Sequence, residues 1–287
     1  MAGWIVRWRG RAAYTSALLV LLILIGWGFV YEPNRLLVVT HPLQIKGAAQ
    51  AGFSGLKIAV IADLHAGAPF IDEEKIRSVV AKTNATKPDI ILLLGDYVIN
   101  EVLGGRPMPI GKVAPLLGAL QAPLGVYAVL GNHDWWVNYD GIARALQGAG
   151  IVVIDDRAMQ IRWRSETFYL VGFSDFNEGP HDVRHALQNV GRESKALRVT
   201  HNPDLFAELP DTCLLTLAAH THGGQVRLPL IGPPIVPSRY GTRYAAGLVK
   251  EQDRYLFTAT GIGTSIIPVR LGVPPEISVL TIADGPS

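Results

Sequence analysis

The first pattern along the chain is an uncharged run from Ala12 to Tyr31, centred on Leu18-Leu19-Val20-Leu21-Leu22-Ile23-Leu24-Ile25. As a helix at ~1.5 Å per residue it spans ~30 Å, the thickness of a bilayer's hydrocarbon core. Trp4, Trp8 and Tyr14 lie near one end and Trp27 and Tyr31 near the other, where interfacial aromatics belong. Unbroken apolarity over this length argues against a buried core helix. A cleaved signal peptide has a shorter apolar core and a small-x-small site close behind it; here Ala49-Gln50-Ala51 lies far downstream, so an uncleaved anchor is favoured.

From Leu56 the pattern changes to short apolar runs separated by amphipathic stretches. Lys57–Ile61, Ile90–Leu94 and Gly125–Leu130 read as buried strands, and Glu73–Lys82, Val113–Leu120 and Asp140–Gln147 as intervening helices. Further strand-like runs are Ile151–Ile154, Phe168–Val171, Leu197–Thr200, Leu214–Ala219, Arg254–Thr258 and Ile277–Ile282. The alternation predicts an α/β layered domain with buried sheets. The organisation expected is a basic tip (1–11), a membrane helix (12–31), a Pro-, Gly- and Ala-rich stalk (32–55) that adds an edge strand at Leu36–Thr40, and one domain (56–287).

Composition narrows the function. Of 287 residues 49% are hydrophobic and 17% charged, which excludes a disordered chain. Arg7, Arg9 and Arg11 precede the first acidic residue, Glu32, and the remainder balances at 23 basic against 24 acidic residues. A near-neutral body with one basic tip argues against nucleic acid as a partner. By the positive-inside rule the same arginines place the N-terminus in the cytoplasm and the body outside the inner or plasma membrane. The single cysteine, Cys213, excludes an internal disulfide framework and reads as a small core residue.

The candidate chemistry sits where the strands end. The first ends in Asp63-Leu64-His65, the second in Gly95-Asp96, and the third in Gly131-Asn132-His133-Asp134. Two more end in Thr200-His201-Asn202-Pro203 and His220-Thr221-His222-Gly223-Gly224. In open α/β sheets the carboxyl ends of parallel strands share one edge, where ligands bind. Asp63 and His65 alternate, so on a regular strand they share a face suited to chelation, and His220 and His222 repeat the arrangement. One such ending is an ordinary turn; five in one chain form a constellation.

In this order the motifs resemble those of calcineurin-like metallophosphoesterases, and the surroundings of His220–Gln225, Gly261–Gly263 and Pro275–Ile277 look like the membrane-anchored bacterial branch. The resemblance implies a four-layer sandwich of two mixed β-sheets flanked by helices. It also implies two divalent metal ions, with Asp63, His65 and His222 on one, Asn132, His201 and His220 on the other, and Asp96 bridging. His133 would be the catalytic residue, giving a proton or steadying developing charge. The mixed nitrogen and oxygen ligands suit manganese, iron or zinc. The expected reaction is hydrolysis of a phosphodiester or pyrophosphate by metal-bound hydroxide, in a membrane-associated or lipid-linked substrate. A cytoplasmic UDP-2,3-diacylglucosamine pyrophosphohydrolase of lipid A synthesis is the alternative enzyme. A metal-stabilised scaffold is the alternative outside enzymes, disfavoured because every motif residue is present.

Two departures stand out. Ala219 precedes His220 where many relatives have glycine, and Ile99 in Gly95-Asp96-Tyr97-Val98-Ile99-Asn100 stands where Ser/Thr protein phosphatases carry an aspartate, removing the usual carboxylate partner of the catalytic histidine. Asp134 is a candidate to take its place. Among secondary features, Trp135 and Trp136 are candidates for a substrate cleft, and Arg227, Arg239, Arg243 and Arg270 for phosphate contacts as against surface salt bridges. The proline-rich Leu228–Pro237 reads as a buried connection, with contact to lipid as the alternative. His181 and His185, four apart without a third ligand, read as solvated.

Overall fold

The computed structural model describes residues 2–188, 190–191, 196–210 and 214–285, with side chains from Tyr14 onward. Cys213 and the side chains of the basic tip, Trp4 and Trp8 included, lie outside the described residues. Helix α1 (Ala2–Gly26) carries the apolar run and continues through a π-turn at Trp27–Tyr31 and a 3-10 turn at Glu32–Asn34. Its apolar side chains from Leu18 to Ile25 are exposed, unlike those of a core helix.

The chain then runs directly into a sheet. Strand β1 (Leu37–Ile45) is followed by β2 (Lys57–Ile61), the two-residue β3 (Gly67–Ala68), helix α2 (Glu73–Ala85), β4 (Ile90–Leu93), the two-residue β5 (Arg106–Pro107), helix α3 (Ile110–Leu117), β6 (Val126–Ala128), helix α4 (Asn132–Gly148) and β7 (Val152–Val153). The second half adds β8 (Arg157–Trp163), β9 (Glu166–Gly172), helix α5 (Val183–Leu187), β10 (Ala196–Val199), β11 (Leu215–Ala218), β12 (Gly247–Glu251), β13 (Arg254–Thr258) and β14 (Glu276–Asp284).

Two six-stranded mixed sheets result, ordered β1-β14-β2-β4-β6-β7 and β12-β13-β11-β10-β9-β8. In the first, β2, β4, β6 and β7 run parallel and β14 is antiparallel to β2; in the second, β9, β10, β11 and β13 run parallel between antiparallel edges. Strand alternation explains the layering. Ile58 and Val60 of β2 join Leu197, Leu215 and Phe257 in a core between the sheets. Ala59 and Ile61 face the other way, onto Ile76 and Val79 of α2, Val113 and Leu117 of α3 and Ile142 and Leu146 of α4. A smaller core under α5 covers the far face of the second sheet. The predicted four-layer α/β sandwich is therefore the observed architecture.

The region expected as a stalk is different. β1 forms nine residue pairs with β14, and Ile45, Ala48 and Phe53 are buried in the inter-sheet core. The sequence hides this because Leu37–Ile45 buries mainly its end, leaving an edge strand whose pattern is only weakly apolar. Helix α4 begins at Asn132 rather than near Asp140, kinked at Asn138, so the third motif opens a helix instead of preceding one.

Candidate metal centre

All five motifs fall at one end of the two sheets. Asp63 and His65 follow β2, Asp96 follows β4, Asn132 and His133 open α4 after β6, His201 follows β10, and His220 and His222 follow β11. Asp63, His65, Asp96, His220 and His222 have φ of 48°, 46°, 58°, 70° and 51°. Left-handed backbone at such residues costs ~1–3 kcal/mol each and persists only where the surroundings enforce it. The side chains are thus gathered by tight left-handed turns, not by strand alternation as the spacing alone suggested.

Hydrogen bonds between the turns supply that enforcement. The Asp63 and His65 amides donate to the carbonyls of Gly95 and Asp96, at 3.1 and 2.9 Å. The Asp134 carboxylate accepts from the amides of Asp96, Tyr97 and Gly131, at 2.8–2.9 Å. The His133 amide donates to Asp96 Oδ1 (3.0 Å) and the His220 amide to Asp63 Oδ1 (3.1 Å). Gly261 closes the cluster from behind: a Cβ there would collide with the Asp63 carboxylate, and its φ of +69° would strain any other residue.

The donor atoms converge. Asp63, His65 and His222 form one group and Asp96, His201 and His220 another, each with its ligand atoms within 4.8 Å of one another. Asp96 Oδ2 lies between them, 3.5 Å from His65 Nε2 and 3.3 Å from His201 Nε2. His65 Nε2 faces His222 Nε2 at 3.2 Å, and His201 Nε2 faces both His220 Nδ1 and Asn132 Oδ1 at 3.2 Å. His201 Nδ1 donates to the Leu94 carbonyl (2.6 Å), which turns Nε2 toward the cluster.

Burial pushes the imidazoles of His65 and His220 down to about 3 and that of His222 well below its usual range, leaving neutral rings with lone pairs available. For His201 burial acts downward too, but the adjacent Asp96 carboxylate overrides it and raises the ring well above its usual value. Burial pushes Asp63 up to about 7. Asp63 Oδ2 and His65 Nδ1 are buried without a hydrogen-bond partner, although buried polar atoms are normally paired. Three neutral imidazoles and buried carboxylates with unused atoms fit a pair of divalent cations, whose charge would relieve the desolvation of Asp63 and Asp96.

His133 stands beside the cluster, its ring centroid 4.7 Å from that of His65 and 4.8 Å from that of Trp136. Its Nδ1 is buried with no partner, and its Nε2 lies 3.5 Å from Ser265 Oγ. Asp134, occupied by three backbone amides, does not orient the ring. The gap foreseen from Ile99 is therefore left unfilled among the described residues.

Arg270, a candidate for phosphate, is fully buried. Its guanidinium donates to the carbonyls of Gly263, Val273 and Thr260 at 2.8–3.0 Å and approaches His222 Nδ1 at 3.3 Å. Arg243 pairs with Glu251 (2.7 Å) and Arg239 lies over the Phe176 ring (4.6 Å), so neither is turned to the cluster. Trp135 stacks on Tyr139 and Trp136 stays half exposed. The Leu228–Pro237 loop is not the buried connection expected: Leu230, Ile231 and Ile235 are exposed. His181 lies outside α5, held by Ser174 Oγ and the Gly179 carbonyl. Sequence reasoning missed Ser265 and the inward course of Arg270, for which only the nearby Gly261-Ile262-Gly263 gave a signal.

Comparison with known proteins agrees with this end of the molecule. The pattern of the calcineurin-like phosphoesterase family matches residues 56–224, from the start of β2 through the last histidine motif. The chain is 33% identical to phosphodiesterase YaeI of Escherichia coli over 264 residues, covering 90% of this chain and 93% of that one. It is 28% identical to YkuE of Bacillus subtilis, an uncharacterized metallophosphoesterase, covering 90% of each. It is 24% identical to a zebrafish (Danio rerio) transmembrane protein with a metallophosphoesterase domain, covering 93% of this chain and 62% of that protein.

Proposed function

The chain belongs to the calcineurin-like phosphoesterase family and is a metal-dependent phosphoester hydrolase, and from that premise we propose that it is a membrane-anchored enzyme cleaving a phosphodiester or pyrophosphate bond in a membrane-associated or lipid-linked substrate. The observation that carries the reading is the convergence of seven donor residues from five strand ends on one buried cluster. In our assignment Asp63, His65 and His222 hold one divalent ion and Asn132, His201 and His220 the other, with Asp96 shared. The ions are manganese, iron or zinc by the donor set. Bound there, they would polarise the phosphoryl group and make water a nucleophile near neutral pH.

The chain's own groups do the rest. The Asp134 carboxylate fixes three amides and with them the Asp96 turn, so the shared carboxylate is held before substrate arrives. His133 is anchored through its amide on Asp96 Oδ1 and carries a proton on Nε2 toward the leaving-group oxygen.

The exposed apolar helix and a transmembrane relative suggest the membrane anchor. The arginines before it put the N-terminus in the cytoplasm and the catalytic domain outside. The domain is proposed to begin with β1 rather than after a stalk, because β1 and Phe53 belong to the sheet and the core.

The test is full-length protein stripped by chelator, reloaded singly with Mn²⁺, Fe²⁺ or Zn²⁺, and assayed on a phosphomonoester, a phosphodiester and a nucleotide pyrophosphate. Turnover on the last two, with two ions per chain by elemental analysis, is expected. Equal turnover in stripped protein would refute the reading.

A further inference from the structure

The end of the molecule that holds the metal cluster also carries exposed apolar side chains that the chemistry does not use. Ile231, Ile235 and Ile266 are 75%, 77% and 68% exposed, Leu230 is fully exposed, and Ile267 and Leu103 lie beside them in the open. Scattered apolar residues are ordinary on a surface; several large ones on two turns joined to the same short segment mark an interaction surface.

These residues sit on a built structure. Leu228 and Gly232 pair across a tight turn with Leu230 at its tip, φ +65°. The turn is fixed to the segment before β14, with the Arg227 amide on the Leu271 carbonyl (2.7 Å) and the Leu271 amide on the Gln225 carbonyl (2.9 Å). Its far side is held by Asp204, which accepts from Ser238 Oγ (2.5 Å) and the Arg239 amide (2.7 Å). Gln225 clamps Ser265 through both side-chain atoms, and the Leu103 amide donates to the Ile266 carbonyl (2.8 Å). A fastened loop with leucine and isoleucine at its tip is held toward the surroundings.

The apolar helix ends against the same segment. The Arg270 amide donates to the Gly28 carbonyl (2.9 Å), and a Cβ on Gly28 would meet Val269 at 3.3 Å and the Arg270 carbonyl at 3.5 Å. Going outward from Gly28, the strip of chain at 269–271 leads on one side to Ile266 and Ile267 and on the other, through 225–227, to the turn at Leu230. The helix's point of exit and both apolar turns are thus joined through one short segment, 267–271. Charge does not oppose this: residues 221–238 contain Arg227 and no acidic residue, whereas Arg239 lies over the Phe176 ring and Arg243 is paired with Glu251. Exposed apolar tips without acidic charge beside them in the chain suit a lipid surface.

We propose that the turns at 228–235 and 265–267 insert into the bilayer that α1 crosses, forming a lip that seats the mouth of the metal centre against the lipid headgroups. The proposal rests on the reading of α1 as a membrane anchor and commits to one occupant, the bilayer. A phosphoester at headgroup level then reaches His133 and the metal cluster without leaving the membrane, with Trp136, half exposed beside His133, at the rim.

The test uses the full-length chain in a Cys213→Ser background, reconstituted in phosphatidylethanolamine–phosphatidylglycerol vesicles. A nitrobenzoxadiazole label is placed on Leu230→Cys, on Ile266→Cys, or on Met159→Cys, which lies on the far edge strand β8. Hydrolysis of a small soluble diester by each labelled protein checks the fold and the enzymatic reading separately. Alkaline carbonate extraction checks the anchor separately. The expected result is blue-shifted emission at 230 and 266, with quenching by doxyl-labelled lipid about tenfold stronger than at 159, as insertion of apolar tips requires. Water-like emission at 230 and 266 in active, carbonate-resistant protein would overturn the lip while leaving the function standing. Blue-shifted emission that doxyl lipid fails to quench, in chains that run as dimers in detergent, would assign the face to a second copy and overturn it as well. Release by carbonate would remove the anchor and the lip together.

Discussion

Two regions at the same end of the molecule invert the usual rule of burial in opposite senses. The metal cluster buries Asp63, His65, Asp96, His201 and His222, groups that ordinarily face water. The neighbouring lip exposes Leu230, Ile231, Ile235 and Ile266, which ordinarily do not. Both inversions cost stability in water, one through desolvation and left-handed backbone, the other through apolar surface. On the proposed readings the difference lies in what would relieve them: cations for the first, an apolar medium for the second. Substitutions in the two regions should therefore separate cleanly by which measurement they move.

The largest effect is expected from Asp96→Asn. Its Oδ2 lies between the two donor groups, so the change should abolish measurable phosphodiester turnover, with elemental analysis showing fewer than two ions per chain. Retained turnover with normal metal content would place the shared ligand elsewhere. His133→Ala comes next. It should lower kcat ~10²–10⁴-fold, the range for a general acid, with metal content unchanged and partial recovery on a substrate with an acidic leaving group. An empty His133→Ala protein would move this residue from proton transfer into the metal shell.

Arg270→Met tests the link between the regions, since its backbone meets the helix end and its guanidinium meets the His222 turn. A supporting residue of this kind is worth ~10–100-fold in metal affinity or activity, read by metal titration on the soluble diester. Affinity equal to wild type would confine Arg270 to packing. The smallest effect belongs to the lip. The double variant Leu230→Glu, Ile231→Glu should change thermal stability by no more than ~0.5 kcal/mol in detergent, as exposed positions do. Marked destabilisation would show that the lip supports the fold, and the contrast between the regions would fail.

These regions differ also in how they could be read from sequence. The polar residues at five strand ends were legible because strands are periodic, and an Asp, His or Asn just beyond an apolar run is visible without coordinates. Their grouping followed from parallel strands sharing an edge. What carries each side chain inward was not legible: spacing suggested a shared strand face for Asp63 and His65, whereas the chain turns left-handed at both. The lip was misread because proline and isoleucine in a connection resemble buried packing, and exposure depends on what fails to cover them. Arg270 was a candidate for phosphate contact or a surface salt bridge, because burial of an arginine needs carbonyls contributed by Thr260, Gly263 and Val273, whose arrangement only the fold creates. β1 was seen in part, as Leu36–Thr40, because an edge strand needs little apolar surface.

The direct passage from α1 through Trp27–Asn34 into β1 carries one more consequence. Between Asn34 and Leu37 there are only Arg35 and Leu36, and Trp27 Nε1 holds Glu32 Oε2 at 2.5 Å across the turn. An enzyme on a flexible leash samples a hemisphere of positions above a membrane and accepts targets at many heights. With α1 as the proposed anchor, so short a join would set the altitude and tilt of the catalytic opening. Selection among phosphoesters would then depend on distance as much as on chemistry, with a phosphate near the membrane plane in range and the same bond on a long soluble spacer out of range. A graded series of lipid-attached diesters with increasing spacer length would read that range as a gauge reads clearance.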